Sequence, residues 1–432
     1  MNFPRNHRTP EQGGILVVTL FVLVSIFIAL GSYLLLVRAQ YVSIVRSQAW
    51  NDSMSMAEAG VEDALAQLNP GATDQTISVD RTANGWGSPS GGFYGPVTRT
   101  VRSNATYSVV FSTNVQPVIY ATGYLTLPDI SATVKRVVRV ATTNIPLYNV
   151  AMGARTNISM NGSGVTADSF DSSRTNLSTG GKYDSTKAGT NGDVGVLYGT
   201  LDTGNHTVAG DVYLGPTASF NGTSTGQTYH DYNIDFPDVV APPNTASWVN
   251  LSPLGYPLAA NVVNVGGVLT TFNYVFTTSG DYVISSMLGS GTIYVAPGAR
   301  VRLKMNGGTT SGVKVDSSGA NSGNLIIYVA AASFTIGGNG AVDGGKAANL
   351  TYLGLPTNTS INFNGNDTFV GTLYAPDATI VLGGGGSQNI DFSGSCIGKT
   401  IKINGHFMFH FDEDLLNAGS SRGYHAVSWA EL

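Results

Sequence analysis

The hydrophobic positions divide the chain into three differently patterned parts, and the first is a continuous apolar run. Residues 15–37 read ILVVTLFVLVSIFIALGSYLLLV and contain no charged side chain. At about 1.5 Å per residue, a helix of this length reaches about 34 Å, enough to cross the ~30 Å hydrocarbon core of a bilayer. Because backbone polar groups in lipid need partners within the chain, this run predicts a transmembrane helix.

The apolar pattern continues beyond this run with a different spacing. Hydrophobic residues recur there at intervals of three and four as far as Leu68, which is typical of one face of an amphipathic helix. Asn69 and Pro70 end the pattern, since proline cannot continue a helix. We therefore predict a short polar leader over residues 1–14, followed by one transmembrane and amphipathic helix over residues 15–69.

Alternation replaces helical spacing in residues 72–146. Three segments there carry β-branched residues that alternate with other residues, namely 105–113, 117–127 and 130–143. Short turns separate them, and a hairpin is expected about Pro128 and Asp129. This part predicts a small antiparallel sheet that forms a head on the amphipathic half of the helix.

From residue 149 to residue 416, short β-type runs recur about every 8–12 residues between Gly, Asn and Asp. Three-residue strands with Gly or Asn at the corners favour the stacked coils of a parallel β-solenoid. A sandwich of longer strands is the alternative. The predicted fold class is therefore α+β and mainly β: a long N-terminal helix, a small antiparallel sheet and a β-solenoid-like domain.

Two segments depart from the solenoid pattern. Residues 230–250 contain three prolines and predict an extended strap between two parts of the β domain. Residues 417–432 follow the last coil and are expected to form a C-terminal tail.

Composition and charge narrow the function classes. Charged residues make up 11% of the chain and the net charge is -5, with Lys and Arg scattered, so nucleic acid is not an expected partner. The one cysteine, Cys396, cannot form an internal disulfide and is expected to fill a small core position. An exported protein without disulfides is compatible with a bacterial envelope.

The densest ionisable cluster lies near the C-terminus and contains His410, Asp412, Glu413 and Asp414. These residue types could serve acid–base chemistry or bind a metal. Alternation, however, places His410 and Asp412 on one face of a strand and Glu413 on the other. We therefore expect a polar closure of the last coil, and predict no catalytic residue, no metal site and no cofactor.

Two weaker candidates for binding depend on residue type alone. Asp168, Asp171 and Asp184 could bind Ca²⁺, but no calcium-loop spacing or nonapeptide repeat accompanies them. Trp86 and Trp248 are candidates for stacking on sugars.

The N-terminal part resembles a type IV pilin-like N-terminus, with the PilX-type minor pilins as the nearest subset. The resemblance is carried by a polar leader that ends in Gly13 and Gly14, by the apolar helix, and by a motif after it: Ala57, Glu58, Ala59, Gly60, Val61 and Glu62. It implies cleavage by prepilin peptidase after Gly13 or Gly14, and packing among other pilins or pseudopilins.

One departure from this resemblance concerns the start of the mature chain. Major pilins carry a glutamate at the fifth mature position, whereas that position here is Val18 or Thr19, depending on the cleavage site. A subunit without this carboxylate suits a filament tip, or a protein that is never polymerised. Glu58 and Glu62 also fit a plain solvated helix face.

The C-terminal part is similar to an uncharacterised bacterial β-rich surface domain that often follows PilX-like N-termini. Its F-x-G-x-Y-A-P-x-A motif corresponds to residues 369–378, including Gly371, Tyr374, Ala375 and Pro376. Its F-H-Y-D-E-x-L motif corresponds to residues 409–415, including His410, Asp412 and Glu413. The segment 168–173 is similar to its D-S-Y-D-S-S opening. This resemblance implies no chemistry.

Taken together, these patterns predict a minor pilin-like or pseudopilin-like surface protein that is not an enzyme. Its helix would anchor it in the inner membrane, and possible partners of its β domain are a surface glycan or a host surface. The bulk would be periplasmic or extracellular, for adhesion or filament-tip assembly. The alternatives are a membrane-anchored structural envelope protein that is not polymerised, and a solenoid polysaccharide hydrolase or lyase.

Overall fold

A computed structural model describes residues 12–69, 81, 84–114, 116–127, 132–242, 245–257, 261–287, 290–318, 321–338, 342–384, 389–418 and 421–432. The chain divides into two compact units. One unit combines the N-terminal helix with an antiparallel sheet, and the other, within residues 144–424, is a stack of parallel strands. The predicted fold class is confirmed. Most of the predicted leader, Pro128 and Asp129 of the predicted hairpin, and Pro243 of the predicted strap lie outside the described residues.

The described residues form two α-helices, three short 3₁₀ turns and a long series of strands. The helices are α1 (Gln12–Leu68) and α2 (Leu415–Ala418), and the 3₁₀ turns are Ser185–Lys187, Thr245–Ser247 and Ala347–Asn349. The strands are β1 (Phe93–Arg102), β2 (Ala105–Ser112), β3 (Val118–Leu127), β4 (Ala132–Pro146), β5 (Met152–Met160), β6 (Thr166–Phe170), β7 (Val194–Val196), β8 (Thr200–Val208), β9 (Val212–Leu214), β10 (Ser219–Ser224), β11 (Thr228–Tyr229), β12 (Val249–Asn250), β13 (Val262–Val265), β14 (Val268–Thr271), β15 (Tyr274–Phe276), β16 (Gly280–Ile284), β17 (Ser290–Val295), β18 (Arg300–Met305), β19 (Thr309–Val315), β20 (Asn324–Val329), β21 (Ser333–Gly338), β22 (Val342–Asp343), β23 (Leu350–Gly354), β24 (Ser360–Gly365), β25 (Phe369–Leu382), β26 (Ile390–Ile403), β27 (Phe407–Asp412) and β28 (Ser421–Glu431).

Helix α1 changes character along its length. The large apolar side chains between Ile15 and Val37 are exposed, and α1 is the one helix among the described residues that is long and apolar enough to cross a membrane. From Ala49 onward its apolar face is buried against β2 and β3. The helix ends at Leu68, immediately before Asn69 and Pro70, where the sequence predicts its end.

The sheet that packs on α1 has the strand order β1-β2-β3-β4-β28, and the pairs β1–β2, β2–β3 and β3–β4 are antiparallel. Gly123 of β3 lies directly against the helix, where a Cβ atom would overlap the carbonyl oxygen of Ser53. Residues 417–432 were expected to form a C-terminal tail, but β28 within them is the fifth strand of this sheet. The side chains of Arg136 in β4 and Glu431 in β28 form an ion pair.

The second unit is a parallel β-solenoid whose chain order is discontinuous. The chain enters the middle of the stack at β5 and winds outward to β10 and β11 at one end. It resumes at the other end with β12 and β15, and winds back to β26 and β27, which pair in parallel with β5 and β6. The expectation that the C-terminal strand closes the last coil is therefore wrong: β27 lies inside the stack.

Apolar side chains that point inward form the solenoid core. Phenylalanines at equivalent positions of successive coils stack along it, with ring centroids 4.3 Å apart for Phe369 and Phe392 and 4.7 Å apart for Phe392 and Phe409. Cys396 is fully buried in the same core, as expected. Burial raises the pKa of its thiol, so it is a packed and unreactive group.

Residues 230–242 and 245–248 lie between β11, at one end of the solenoid, and β12, at the other end. Tyr232, Phe236, Val239 and Trp248 of this segment are buried in a second apolar cluster, together with residues of the coils. A glycine at position 195 leaves space for Tyr232, because a Cβ there would lie 2.5 Å from the Tyr232 ring. The segment thus has the role of a strap that ties the two ends of the stack.

Candidate functional site

A cleft on the second unit brings together several residues that the sequence separates widely. Its volume is about 210 Å³, and its lining includes Phe170, Lys182, Tyr183, Lys346, Asp391 and Ser393. The polar and aromatic side chains around this concave surface make it the candidate functional site.

One wall of the cleft is a tight turn. Thr179 and Lys182 exchange backbone hydrogen bonds across Gly180 and Gly181, whose φ angles are +61° and +75°. Two successive residues with positive φ are typical of a type I′ turn, which glycine adopts without steric cost. The turn holds Lys182 and the following residue, Tyr183, at the cleft.

Another part of the wall follows β22. Asp343 pairs with Lys314 at 2.6 Å, and its Oδ1 atom accepts the backbone N–H of Gly345 at 2.6 Å. These bonds fix the loop that carries Lys346. The aliphatic part of Lys346 lies near Gly181, where an added Cβ would come within 3.6 Å of its Cε atom.

A buried histidine lies behind Tyr183. Nδ1 of His410 lies 2.5 Å from Oδ1 of Asp168, and Nε2 lies 3.4 Å from Oδ1 of Asp391. The Tyr183 ring stacks on the imidazole with centroids 3.4 Å apart, and its hydroxyl donates to Oδ2 of Asp168 at 2.7 Å. The residues form a hydrogen-bonded cluster, Asp168–His410–Asp391–Tyr183, which we call the His410 staple.

The electrostatics of the His410 staple favour a charged imidazole. Burial alone lowers the pKa of His410, but its hydrogen bonds to Asp168 and Asp391 outweigh this effect and raise the pKa above the ordinary value. Burial and the bond to Asp168 raise the pKa of Tyr183. Carboxylates only accept hydrogen bonds, so an imidazole must carry both protons to donate to Asp168 and Asp391 at once.

The geometry of the His410 staple is that of a group that holds other side chains in place, and it does not favour proton transfer to a bound molecule. The His410 side chain has no exposed surface, and each ring nitrogen already faces a carboxylate. A general base must reach the proton that it abstracts. His410 instead holds the ring of Tyr183 and one oxygen of Asp391 at the cleft wall.

Asp412 and Glu413 lie on the same segment and tie down the loop after β6. Oδ1 of Asp412 accepts the backbone N–H of Ser172 at 3.0 Å, and Oε1 of Glu413 accepts the Ser169 hydroxyl at 2.7 Å. Burial raises the pKa of Asp412 to about 6. The two segments, 168–173 and 409–415, are therefore in direct contact, which the sequence alone did not indicate.

The motif in β25 contacts the strap instead of the cleft. The Tyr374 hydroxyl donates to the carbonyl oxygen of Pro237 at 2.7 Å, and the neighbouring Ala375 and Pro376 are buried. Gly371 lies where a Cβ would come within 2.9 Å of the Leu350 carbonyl oxygen. These four residues have packing roles.

The acidic residues proposed for calcium do not converge. Asp168 belongs to the His410 staple, Asp171 pairs with Arg174 at 3.0 Å, and Asp184 accepts from Thr179 and Thr186. Those hydroxyl bonds lower the pKa of Asp184 to about 2. Within the described residues, no group of three His, Cys, Asp or Glu could hold a metal ion.

The two tryptophans suggested for sugar stacking are buried. Trp86 packs on Phe111 with ring centroids 4.9 Å apart, and Trp248, which belongs to the strap, packs on Tyr328 with centroids 6.3 Å apart. Neither presents a ring face to solvent, because large aromatic residues in Gly-rich sequence still fill the nearest core. Tyr183, which lines the cleft together with Phe170, had no distinguishing sequence signal.

The helix motif divides between the buried and exposed faces of α1. Ala57 and Gly60 are buried against the antiparallel sheet, whereas Glu58 and Glu62 are exposed, and Ala59 is intermediate. Val18 and Thr19 lie on the exposed apolar half, where the Thr19 hydroxyl donates to the carbonyl oxygens of Ile15 and Leu16 at 3.0 Å. Gly13 and Gly14 fall within the first turn of α1.

Comparison with known proteins gives one family match and two similar structures. Residues 276–418, about a third of the chain, match the family model of a domain of unknown function (DUF7305). No curated protein matches the chain. The crystal structure of the competence-associated pilin ComZ from Thermus thermophilus is 11% identical, with a TM-score of 0.20, over 89% of this chain and 98% of that pilin.

The second similar structure is the DUF3494 domain of Shewanella frigidimarina ice-binding protein 1. It is 11% identical, with a TM-score of 0.26, over 63% of this chain and 100% of that domain. Both TM-scores are too low to assign a function to this chain. The DUF7305 match contains Gly371–Pro376 and His410–Glu413, and it adds no chemistry to them.

Proposed function

We propose that the chain is a minor pilin-like or pseudopilin-like surface protein that carries a β-solenoid outward. The observation that supports this most is the division of α1. Its large apolar side chains from Ile15 to Val37 are exposed, whereas Ala49, Ala57, Val61 and Ala64 are buried against its own sheet. An exposed apolar helix of this length requires lipid or neighbouring apolar helices.

The finer assignment follows from residues at the start of the helix. Gly13 and Gly14 would be the sites of prepilin peptidase cleavage, and the mature helix would pass from the inner membrane into a filament with other pilins or pseudopilins. Val18 and Thr19 offer no carboxylate for pairing with the amine of a neighbouring subunit. A position at the filament tip fits this lack.

The experiment that tests this proposal is mass spectrometry of the mature N-terminus. The full chain is expressed with an active prepilin peptidase and, as the matched control, with a catalytically inactive one. We expect a chain that starts at Gly14 or Ile15 with the active peptidase alone. An intact Met1 in both samples would overturn the proposal and favour an unpolymerised membrane anchor.

A further inference from the structure

We propose that the cleft beside Tyr183 binds an acidic sugar, such as a uronic acid residue of a surface polysaccharide. This inference rests on the proposed function as a surface protein, and it names the ligand class of the β domain. It is carried by the unpaired positive charge at the cleft, by a fixed aromatic wall and by hydroxyl and carboxylate groups beside that wall.

The charge at the cleft favours an anion. Lys182 and Lys346 both line it, and within the described part of the chain neither ammonium group forms an ion pair. Asp343 is neutralised by Lys314 at 2.6 Å. Among the described residues of the lining, Asp391 is then the one carboxylate without a lysine or arginine partner, so the two lysines give the lining a net positive charge.

The aromatic wall is rigid before any ligand arrives. Tyr183 is clamped by its stack on His410, with an interplanar angle of 16°, and by its hydroxyl bond to Asp168. Phe170 contacts Tyr183 edge-on, with centroids 5.8 Å apart. The C–H face of a sugar ring packs on such a surface, and a fixed wall lowers the entropy lost on binding.

Polar groups at the same cleft match the hydroxyls of a sugar. Thr368 and Ser393 present hydroxyl groups that donate and accept, and Asp391 presents a carboxylate that is 47% exposed. The ammonium groups of Lys182 and Lys346 can bind the sugar carboxylate. A cleft of about 210 Å³ that is open to solvent fits one residue of a longer chain better than a whole oligosaccharide.

The test is binding of galacturonic acid tetrasaccharide to the full chain in a detergent without a sugar headgroup, measured by titration calorimetry. The methyl-esterified tetrasaccharide is the matched uncharged ligand. We expect the acid to bind about tenfold more tightly than the ester, and the double variant Lys182→Ala, Lys346→Ala to lose about tenfold in affinity.

The matched control variant is Lys402→Ala, which removes an exposed lysine of β26, the strand that also carries Asp391 and Ser393. It should change affinity less than twofold, and the thermal midpoint of both variants should match that of the parent. Equal affinity for acid and ester, an unchanged double variant, or the same loss in Lys402→Ala would each overturn the inference.

The binding measurement and the mass of the mature N-terminus together distinguish failure of this inference from failure of the proposed function. A chain that is processed by prepilin peptidase but binds no uronate refutes the cleft assignment alone. A chain that binds the acid through Lys182 and Lys346 but keeps Met1 supports the cleft assignment and refutes the pilin-type pathway.

Discussion

His410 and Asp168 are 242 residues apart in the chain, yet Nδ1 of the histidine lies 2.5 Å from the aspartate oxygen. The contact exists because β27 pairs in parallel with β6, which places the two residues directly opposite each other. It joins the first coils of the solenoid to the last ones that the chain forms.

Replacing His410 by Gln should lower the free energy of unfolding by about 3 kcal/mol at pH 6, because it leaves the carboxylates of Asp168 and Asp391 without the charged partner between them. Urea denaturation of the full chain in detergent measures this. His406→Gln, in a partly exposed turn next to β27, is the control and should change stability little.

The effect of His410→Gln should depend on pH. The folded-state pKa of His410 is raised, so its stabilisation is complete below the unfolded value of about 6.5 and is lost as the pH rises through the folded value. The difference between parent and variant should therefore shrink above neutral pH. A difference that grows with pH would show that the imidazole is not charged in the fold.

Asp412 gives a second pH dependence. Its pKa is raised to about 6 by burial, so the folded state binds a proton that the unfolded state has released between about pH 4 and pH 6. Stability should fall as the pH rises through this window, by on the order of 3 kcal/mol for a two-unit shift. Asp193, with a pKa also raised to about 6 by burial, adds a slope of the same sign.

Asp412→Asn should remove roughly half of the decrease in stability with pH that Asp412 and Asp193 cause together. The asparagine keeps an oxygen that accepts the Ser172 N–H. Thermal melts at pH 4, 6 and 8 measure it, with Asp367→Asn on the exposed surface as the control. A slope unchanged by Asp412→Asn would contradict the burial argument.

Gly123→Ala should lower the free energy of unfolding by about 3 kcal/mol or more. The added Cβ would overlap the Ser53 carbonyl oxygen and so disrupt the packing of the antiparallel sheet on α1. Gly60→Ala should lower the free energy of unfolding by a smaller amount, since its Cβ would lie 3.1 Å from the Tyr107 ring, which can shift. Denaturation monitored by tryptophan fluorescence ranks the two. The exposed Thr126→Ala in the same strand serves as the control.

Gly195→Ala should loosen the strap, because the new Cβ would come within 2.5 Å of the Tyr232 ring. Limited proteolysis should then cut within residues 230–242 faster than in the parent. Gly337→Ala, whose Cβ would meet the Thr310 oxygen at an ordinary 3.4 Å, should leave the rate unchanged. Equal rates in all three proteins would show that the strap does not need the space at Gly195.

Val18→Arg should reduce membrane insertion or filament packing, because a charge in an apolar span costs about 3 kcal/mol. Membrane fractionation and surface display of the full chain measure this. The control Val18→Leu keeps the span apolar and should behave as the parent does. Unchanged display of Val18→Arg would count against α1 as the anchor.

The sequence by itself determined the elements that depend on local periodicity. The apolar run and the spacing of threes and fours define α1 to within a residue of its end, and alternation located β2, β3 and β4. Short runs between glycines indicated the parallel solenoid. These features follow from side-chain spacing along one segment, so neighbouring residues suffice to reveal them.

Only the tertiary structure decided which coils are neighbours. The sequence placed β27 at the end of the stack, and treated residues 417–432 as a tail, because chain order was the one available guide. The structure inserts β27 between β26 and β6, and adds β28 to the antiparallel sheet. Parallel pairing between distant segments is set by the fit of whole surfaces and leaves no local periodic signal.

The candidate site also depends on which coils are neighbours in the tertiary structure. Lys182, Tyr183, Lys346 and Asp391 have no common motif, and they meet at one cleft because the stack brings their coils into register. His410 was recognised as part of an ionisable cluster, but its partners Asp168 and Asp391 were not. Charge and hydrogen bonding act across a few ångströms of space, and the distance along the chain does not report that separation.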